Sequence, residues 1–373
     1  MIKKLKLLLE YLEGELDPDR QFTIIERHKK TLNWEPVDKL PLVITFPFPE
    51  KVIWQPFPFK EAFEDQEKML YNELVNAFDT SIVLHKEVDD DLPYTIRVNF
   101  GTVVIASLFG GNVEQRENNP PWVRKLEEPD AYSIISEVDP FDFSKGLCGR
   151  LIDTYEYFNE VLSIYPVLNS SIKIVLPDLQ GPVDTLEMLR GSELFMDFIT
   201  NPEIVHDSLD LMATAQIGLA KHLQQFTSDH PEGFSFQHAM LIKGNILIRD
   251  DSVIMISPEM YREQVAVHDE KVLNAMAGGG IHSCGKIDFC LKEILKLPSI
   301  NCFDFGQSYL NDVESIYYLA KERKTPLIRV QVSKRDLVDA KIKDLFPTGI
   351  SLIYPAVSYE EAKEVSALYT YHI

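Results

Sequence analysis

The sequence predicts an α/β protein of the (β/α)8 TIM-barrel class. Three observations carry this. Strand-like and helix-like runs alternate along the chain, and eight strand candidates can be counted, at residues 40–46, 80–85, 172–176, 234–238, 280–284, 300–305, 327–332 and 350–354. Parallel strands need a crossover between them, so alternation of this kind predicts a parallel sheet, and eight units are what a closed barrel requires. The length of 373 residues suits one such barrel with insertions.

Residues 1–9 are basic and then apolar, and Glu10, Glu13 and Glu15 follow with no small-residue cleavage site. That reads as an amphipathic helix within an N-terminal helical extension over residues 1–35, not as a signal peptide. The gap after the second strand candidate, residues 86–171, is too long for a plain connection and predicts an insertion. Within it, residues 95–100 and 102–107 read as two strands meeting near Gly101. Asn201-Pro202-Glu203 and Ser257-Pro258-Glu259 each place a capping residue before a proline at the first helical position. The second of these helices should run to Ala277 and stop at Gly278. Ile287, Cys290, Leu291, Ile294 and Leu295 fall on one helical face, which assigns Cys290 to the core. No linker divides the chain, so residues 1–373 are read as one domain.

The net charge of −21 argues against a nucleic-acid partner, which calls for a basic stripe. No apolar run approaches a membrane span. The four cysteines are unevenly spaced and read as reduced thiols of a cytoplasmic protein.

The stretch His282-Ser283-Cys284-Gly285 carries the most chemistry. Residues two apart in a strand share a face, so His282 and Cys284 point the same way. An imidazole beside a thiolate suits Zn2+. Two ligands leave the set incomplete. Cys302 and Asp304 share one parity on the next strand, and either is a candidate third ligand, as is His238. Cys302 also reads as a small core residue. Barrel sites lie at the C-terminal ends of the strands, which adds Asp178, Gln180, Gln331 and Tyr354. Asp250 and Asp251 sit in a loop where a carboxylate could bind a cationic group or act as acid or base. Arg97 and Arg249 suit an anionic substrate group. Asp91 ends a run of three aspartates that otherwise reads as a solvated surface.

Four pieces together resemble the uroporphyrinogen decarboxylase superfamily. They are Asp250-Asp251 through Ile256-Ser257-Pro258-Glu259-Met260-Tyr261; Gly280-Ile281-His282-Ser283-Cys284-Gly285; Pro177-Asp178-Leu179-Gln180-Gly181-Pro182 with Leu189-Arg190-Gly191 and Asn201-Pro202-Glu203; and Asp91-Leu92-Pro93 with Asn99-Phe100-Gly101 and Leu108-Phe109-Gly110. That group includes the decarboxylase of haem synthesis and zinc-dependent methyltransferases that work with corrinoid proteins. The resemblance implies a barrel, Zn2+ at His282 and Cys284, and no tightly bound organic cofactor. It also implies a corrinoid supplied by a partner protein, a small-molecule thiol-type acceptor, and a homodimer. Asp91 would face the cavity, and Asp178, Asp250 and Asp251 would be the other catalytic carboxylates. Two departures stand out. Thr45-Phe46-Pro47-Phe48-Pro49-Glu50 lacks the arginines of the decarboxylase, and residues 350–357 hold neither the His of its late Gly-His-Gly motif nor the third zinc cysteine of the methyltransferases. The function expected is therefore zinc-assisted methyl transfer. Cofactor-free decarboxylation and non-catalytic binding of a ligand or corrinoid protein are the alternatives.

Overall fold

A computed structural model describes the whole chain except residues 78–79, 117, 128–130, 229–232, 238, 340 and 372–373. Eight strands run parallel: β1 (Leu42–Thr45), β2 (Thr95–Arg97), β3 (Lys173–Val175), β4 (Leu247–Arg249), β5 (Gly279–Ser283), β6 (Ile300–Phe305), β7 (Leu327–Gln331) and β8 (Ile350–Pro355). Six form one ladder in the order β1-β8-β7-β6-β5-β4, and β2 pairs separately with β3. A single bridge, Gln180 to Arg249, connects the segment after β3 to β4. The sheet is thus parallel and flanked by helices, as expected, but its ladders do not draw a continuous ring of eight.

Three strand expectations are corrected and a fourth is shortened. In the run 80–85, residues 82–85 belong to a helix, Ile82–Val88, because Ser81 caps it: its Oγ accepts from Leu84 N at 3.3 Å. An apolar run this short, buried all round, carries no period to separate helix from strand. Residues 234–237 do form a strand, Phe234–Gln237, but it folds back in an antiparallel hairpin with Met240–Lys243. The parallel strand of that region is β4, ten residues later. Similarly, the strand expected at 102–107 is a helix, Val104–Leu108, and residues 95–100 are strand only over β2.

The helical expectations fare better. Helix α1 (Lys3–Glu15) buries Leu5, Leu8, Leu9 and Leu12, and α2 (Pro18–Leu32) follows it. Ser257 caps its helix by accepting from Met260 N at 3.1 Å. Asn201 does not cap; its amide donates instead to Thr200 Oγ1. The helix after Ser257 widens to a π turn at Tyr261–Val265 and continues as Ala266–Ala275; it ends two residues before the expected Ala277, where Ala277 (φ +57°) and Gly278 (φ +97°) both take left-handed backbone. Cys290 is fully buried on the helix Asp288–Ile294.

The hairpin strand Met240–Lys243 packs against β5, β6, β7 and α2 and fills the space at the N-terminal edge of the sheet. Among the described residues no helix is long and apolar enough to cross a membrane.

Candidate metal centre

The ladder register builds the site. Arg249 on β4 lies opposite His282 on β5, and His282 opposite Asp304 on β6. Partnered residues of parallel strands point to the same face, so three polar side chains form a row at the C-terminal edge. Cys284, one residue beyond β5, adds its thiol to the row. Its Sγ lies 3.5 Å from His282 Nε2.

Asp251 completes the cluster. Its Oδ1 accepts from Cys284 N at 2.7 Å and lies 3.8 Å from His282 Nε2. One oxygen, one nitrogen and one sulfur, from Asp251, His282 and Cys284, all lie within 4.8 Å of one another. The carboxylate of Asp251 is 44% exposed, so the cluster is reached from solvent. His282 is oriented from behind, its Nδ1 being 2.9 Å from Asp304 Oδ2. With Nδ1 donating to that carboxylate, Nε2 carries the lone pair toward Cys284 and Asp251. A carboxylate behind a histidine is the usual outer partner of a metal ligand.

Electrostatics agree with a cation site. Burial, and then the neighbouring Asp251, push the Cys284 thiol up to about 12. A thiol and a carboxylate brought together around a lone pair need a positive charge to ionise fully, and a divalent ion supplies it. Burial alone would raise Asp304, but the Arg329 guanidinium and His282 hold it well below the usual carboxylate range. Arg329 Nε donates to Asp304 Oδ1 at 2.7 Å and its Nη2 donates to Oδ2; Nη2 also stands 2.9 Å from His282 Nδ1, a close approach rather than a hydrogen bond when Nδ1 carries its proton.

The surrounding loops are pinned by side chains. Gly285 N donates to Gln307 Oε1 at 2.6 Å, and Asn311 Oδ1 accepts from Ile287 N and Asp288 N. Gly306 leaves room for the thiol, since a Cβ there would stand 2.5 Å from Cys284 Sγ. Gly181, at the start of α3 (Pro182–Arg190), lies against Asp250; a Cβ there would stand 1.9 Å from Asp250 Oδ1. Asp184, in the first turn of α3, accepts from Asp251 N at 2.9 Å and Ser252 N at 2.7 Å, and so fixes the loop that presents Asp251.

The other sequence candidates lie as follows. Asp304 is the partner of His282 rather than a member of the cluster. Cys302 does not reach it: its Sγ is buried against Lys243 O at 3.4 Å, deeper in the sheet. Asp250 is fully buried and turned away, toward Asp269 and Asp184. Asp178, Arg97 and Arg249 form a buried ion cluster in which both guanidiniums contact Asp178, Arg249 Nη2 at 2.6 Å. Arg249 Nη2 also donates to Gln237 Oε1, while its Nε and Nη1 have no hydrogen-bond partner among the described residues. Gln180 is buried beside Arg249 through their backbone bridge. Asp91 lies at the opposite, N-terminal edge, where it exchanges hydrogen bonds with Leu42 and pairs with Arg27 and Lys39. Gln331 is exposed, and Tyr354 OH donates to Glu361 Oε1 at 3.0 Å. His238 lies outside the described residues.

Behind the loop, burial pushes Asp184 and Asp269 each up to about 7, and raises Asp250 well above the usual carboxylate range, with Asp269 and Asp184 adding to it. Groups whose folded pKa exceeds the unfolded value bind more protons folded than unfolded. Their stabilisation is complete below the unfolded pKa near 3.8 and is lost as pH rises through about 7. The melting temperature should therefore fall between about pH 5 and about pH 8. Asp269→Asn keeps an acceptor for Tyr261 OH, now 2.8 Å from Asp269 Oδ2, and removes the titration. It should stabilise the chain at the upper pH by on the order of 2–4 kcal/mol. A variant that tracks the wild type across this range refutes the account.

No family model matches the chain, and no curated protein matches it. Among solved structures it is similar to a methyltransferase from Methanosarcina mazei, with 16% identity and a TM-score of 0.67, over 93% of this chain and 98% of that one. The two chains share a fold along nearly their whole length.

Proposed function

We propose that the protein is a zinc-assisted methyltransferase that moves a methyl group from a corrinoid partner protein to a small thiol. The carrying observation is the convergence of Asp251, His282 and Cys284, with His282 oriented by Asp304. The fold shared with a methyltransferase supports the reading, as does the resemblance drawn from the sequence. In this reading the eight parallel strands close as a (β/α)8 barrel, and the cluster stands at its mouth.

Asp251, His282 and Cys284 would hold the ion. A bound zinc ion lowers the pKa of a substrate thiol and keeps it as thiolate near neutral pH. In the transfer, the acceptor sulfur bonds to the methyl carbon, the donor keeps the electron pair of the bond that breaks, and the thiol proton goes to water. Arg249, whose Nε and Nη1 are buried without a partner among the described residues, is the group suited to an anionic part of the acceptor. Asp178, held by both arginines, fixes them in place. The partly exposed Asp251 and Cys284 leave the site open to a donor carried by another protein.

Protein purified without added metal should carry one zinc per chain. It should also demethylate free methylcobalamin in the presence of a simple thiol, followed by the change in corrin absorbance. Cys284→Ser should lose most of the metal and, with it, at least about 100-fold in rate. A wild-type chain without zinc, or a Cys284→Ser variant as active as the wild type, sinks the reading.

A further inference from the structure

Arg329 occupies a place in β7 that an arginine rarely takes. Its φ is +56°, the left-handed region, in the middle of a strand. From Leu327 to Val330 β7 advances three residues while its partner β8 advances from Ile350 to Leu352, two residues. One extra residue is therefore inserted, which is a β-bulge. The consequence is local. In the ladder Asp304 is partnered by Ile328, which is fully buried. The bulge swings the next side chain, Arg329, onto Asp304, where Nε and Nη2 take one carboxylate oxygen each. Glycine would relieve the backbone, and the chain carries arginine instead. Strain of this kind persists where surrounding contacts require it, and it gathers at functional sites.

We infer that Arg329 is a positioning residue for the metal centre, acting through Asp304 on His282. This rests on the metal reading above. The guanidinium fork fixes the Asp304 carboxylate in its plane. The fixed carboxylate accepts the hydrogen bond of Nδ1–H and sets the ring so that Nε2 faces Cys284 and Asp251. A lysine at this position keeps the charge but makes one contact in place of the fork. A glycine suits the backbone and removes the group.

The test is metal affinity in the full chain, measured for Zn2+ by competition with a chromophoric chelator, and the absorption spectrum of the Co2+-substituted protein. Arg329→Lys and Arg329→Gly should each weaken affinity about 10- to 100-fold and shift the Co2+ bands. In an Asp304→Asn background the same substitutions should cost clearly less than they do alone, because the carboxylate intermediary is lost and only the 2.9 Å approach of Nη2 to His282 Nδ1 remains. A residue serving only as a buried ion pair would lower the melting temperature and leave affinity and spectrum unchanged, and that result overturns the inference. So do losses that add fully to that of Asp304→Asn. A wild-type chain that binds neither ion overturns the metal reading itself, whereas tight wild-type binding unchanged in both variants overturns this inference alone. Should Arg329→Lys fail to fold, Arg329→Gly, which suits the left-handed backbone, decides.

Discussion

Replacing Asp251 with alanine should weaken zinc binding by more than about 100-fold, whereas Cys302→Ala should leave it within about twofold. Losing an outer partner of a metal ligand already costs about 10- to 100-fold, and in the proposed centre Asp251 would be a donor, not an outer partner. Its Oδ1 does two things at once: it accepts from Cys284 N and faces His282 Nε2. Asp251→Asn separates these, since the amide oxygen still accepts from Cys284 N while the charge is gone. It should lose most of the affinity that the alanine variant loses. Asp251→Cys, which supplies a softer donor at the same place, should bind zinc at least as tightly as the wild type. Competition with a chelator measures all four variants. If the alanine variant holds zinc like the wild type, the third donor lies elsewhere.

The largest effect on stability should come from Asp178. Its carboxylate is buried between the guanidiniums of Arg97 and Arg249, themselves buried. Burial lowers the Arg249 pKa to about 10, with Asp178 opposing the fall. Asp178→Ala leaves two buried cations facing each other and should cost about 3–5 kcal/mol, read by denaturant unfolding. Removing one cation as well, in Asp178→Leu with Arg249→Met, should recover part of that loss. A double variant less stable than Asp178→Ala would mean that packing, not charge, dominates there.

The sequence carried some of this and concealed the rest, for physical reasons. Strand parity is a local rule, so it could put His282 beside Cys284 and set Asp304 on the facing row. The reach of Asp251 is not local. It depends on Asp184 accepting two backbone N–H groups from the loop, and on Gly181 leaving space for Asp250. Read alone, Asp251 is one acidic loop residue among many in an acidic chain. Arg329 was hidden for a sharper reason. Parity fails at a bulge, and a bulge without glycine leaves no mark in the sequence. The fold shows the same division. Helices with a serine cap or a glycine stop were legible. The run at 80–85 was ambiguous between helix and strand, and the run at 234–238 held a strand whose antiparallel partner did not show, because burial and pairing come from tertiary neighbours that a one-dimensional pattern does not contain.

The missing side chain at position 306 has a consequence of its own. A Cβ there would fall 2.5 Å from Cys284 Sγ and 2.9 Å from Cys284 Cα, so rotating the thiol away would not clear the overlap. One carbon just past the end of β6 and the sulfur of Cys284 are rival tenants of the same volume. The proposed chemistry of this edge therefore hangs on a hydrogen atom: a single methyl group there would displace the thiol while leaving Asp251, His282 and Cys284 all in the chain.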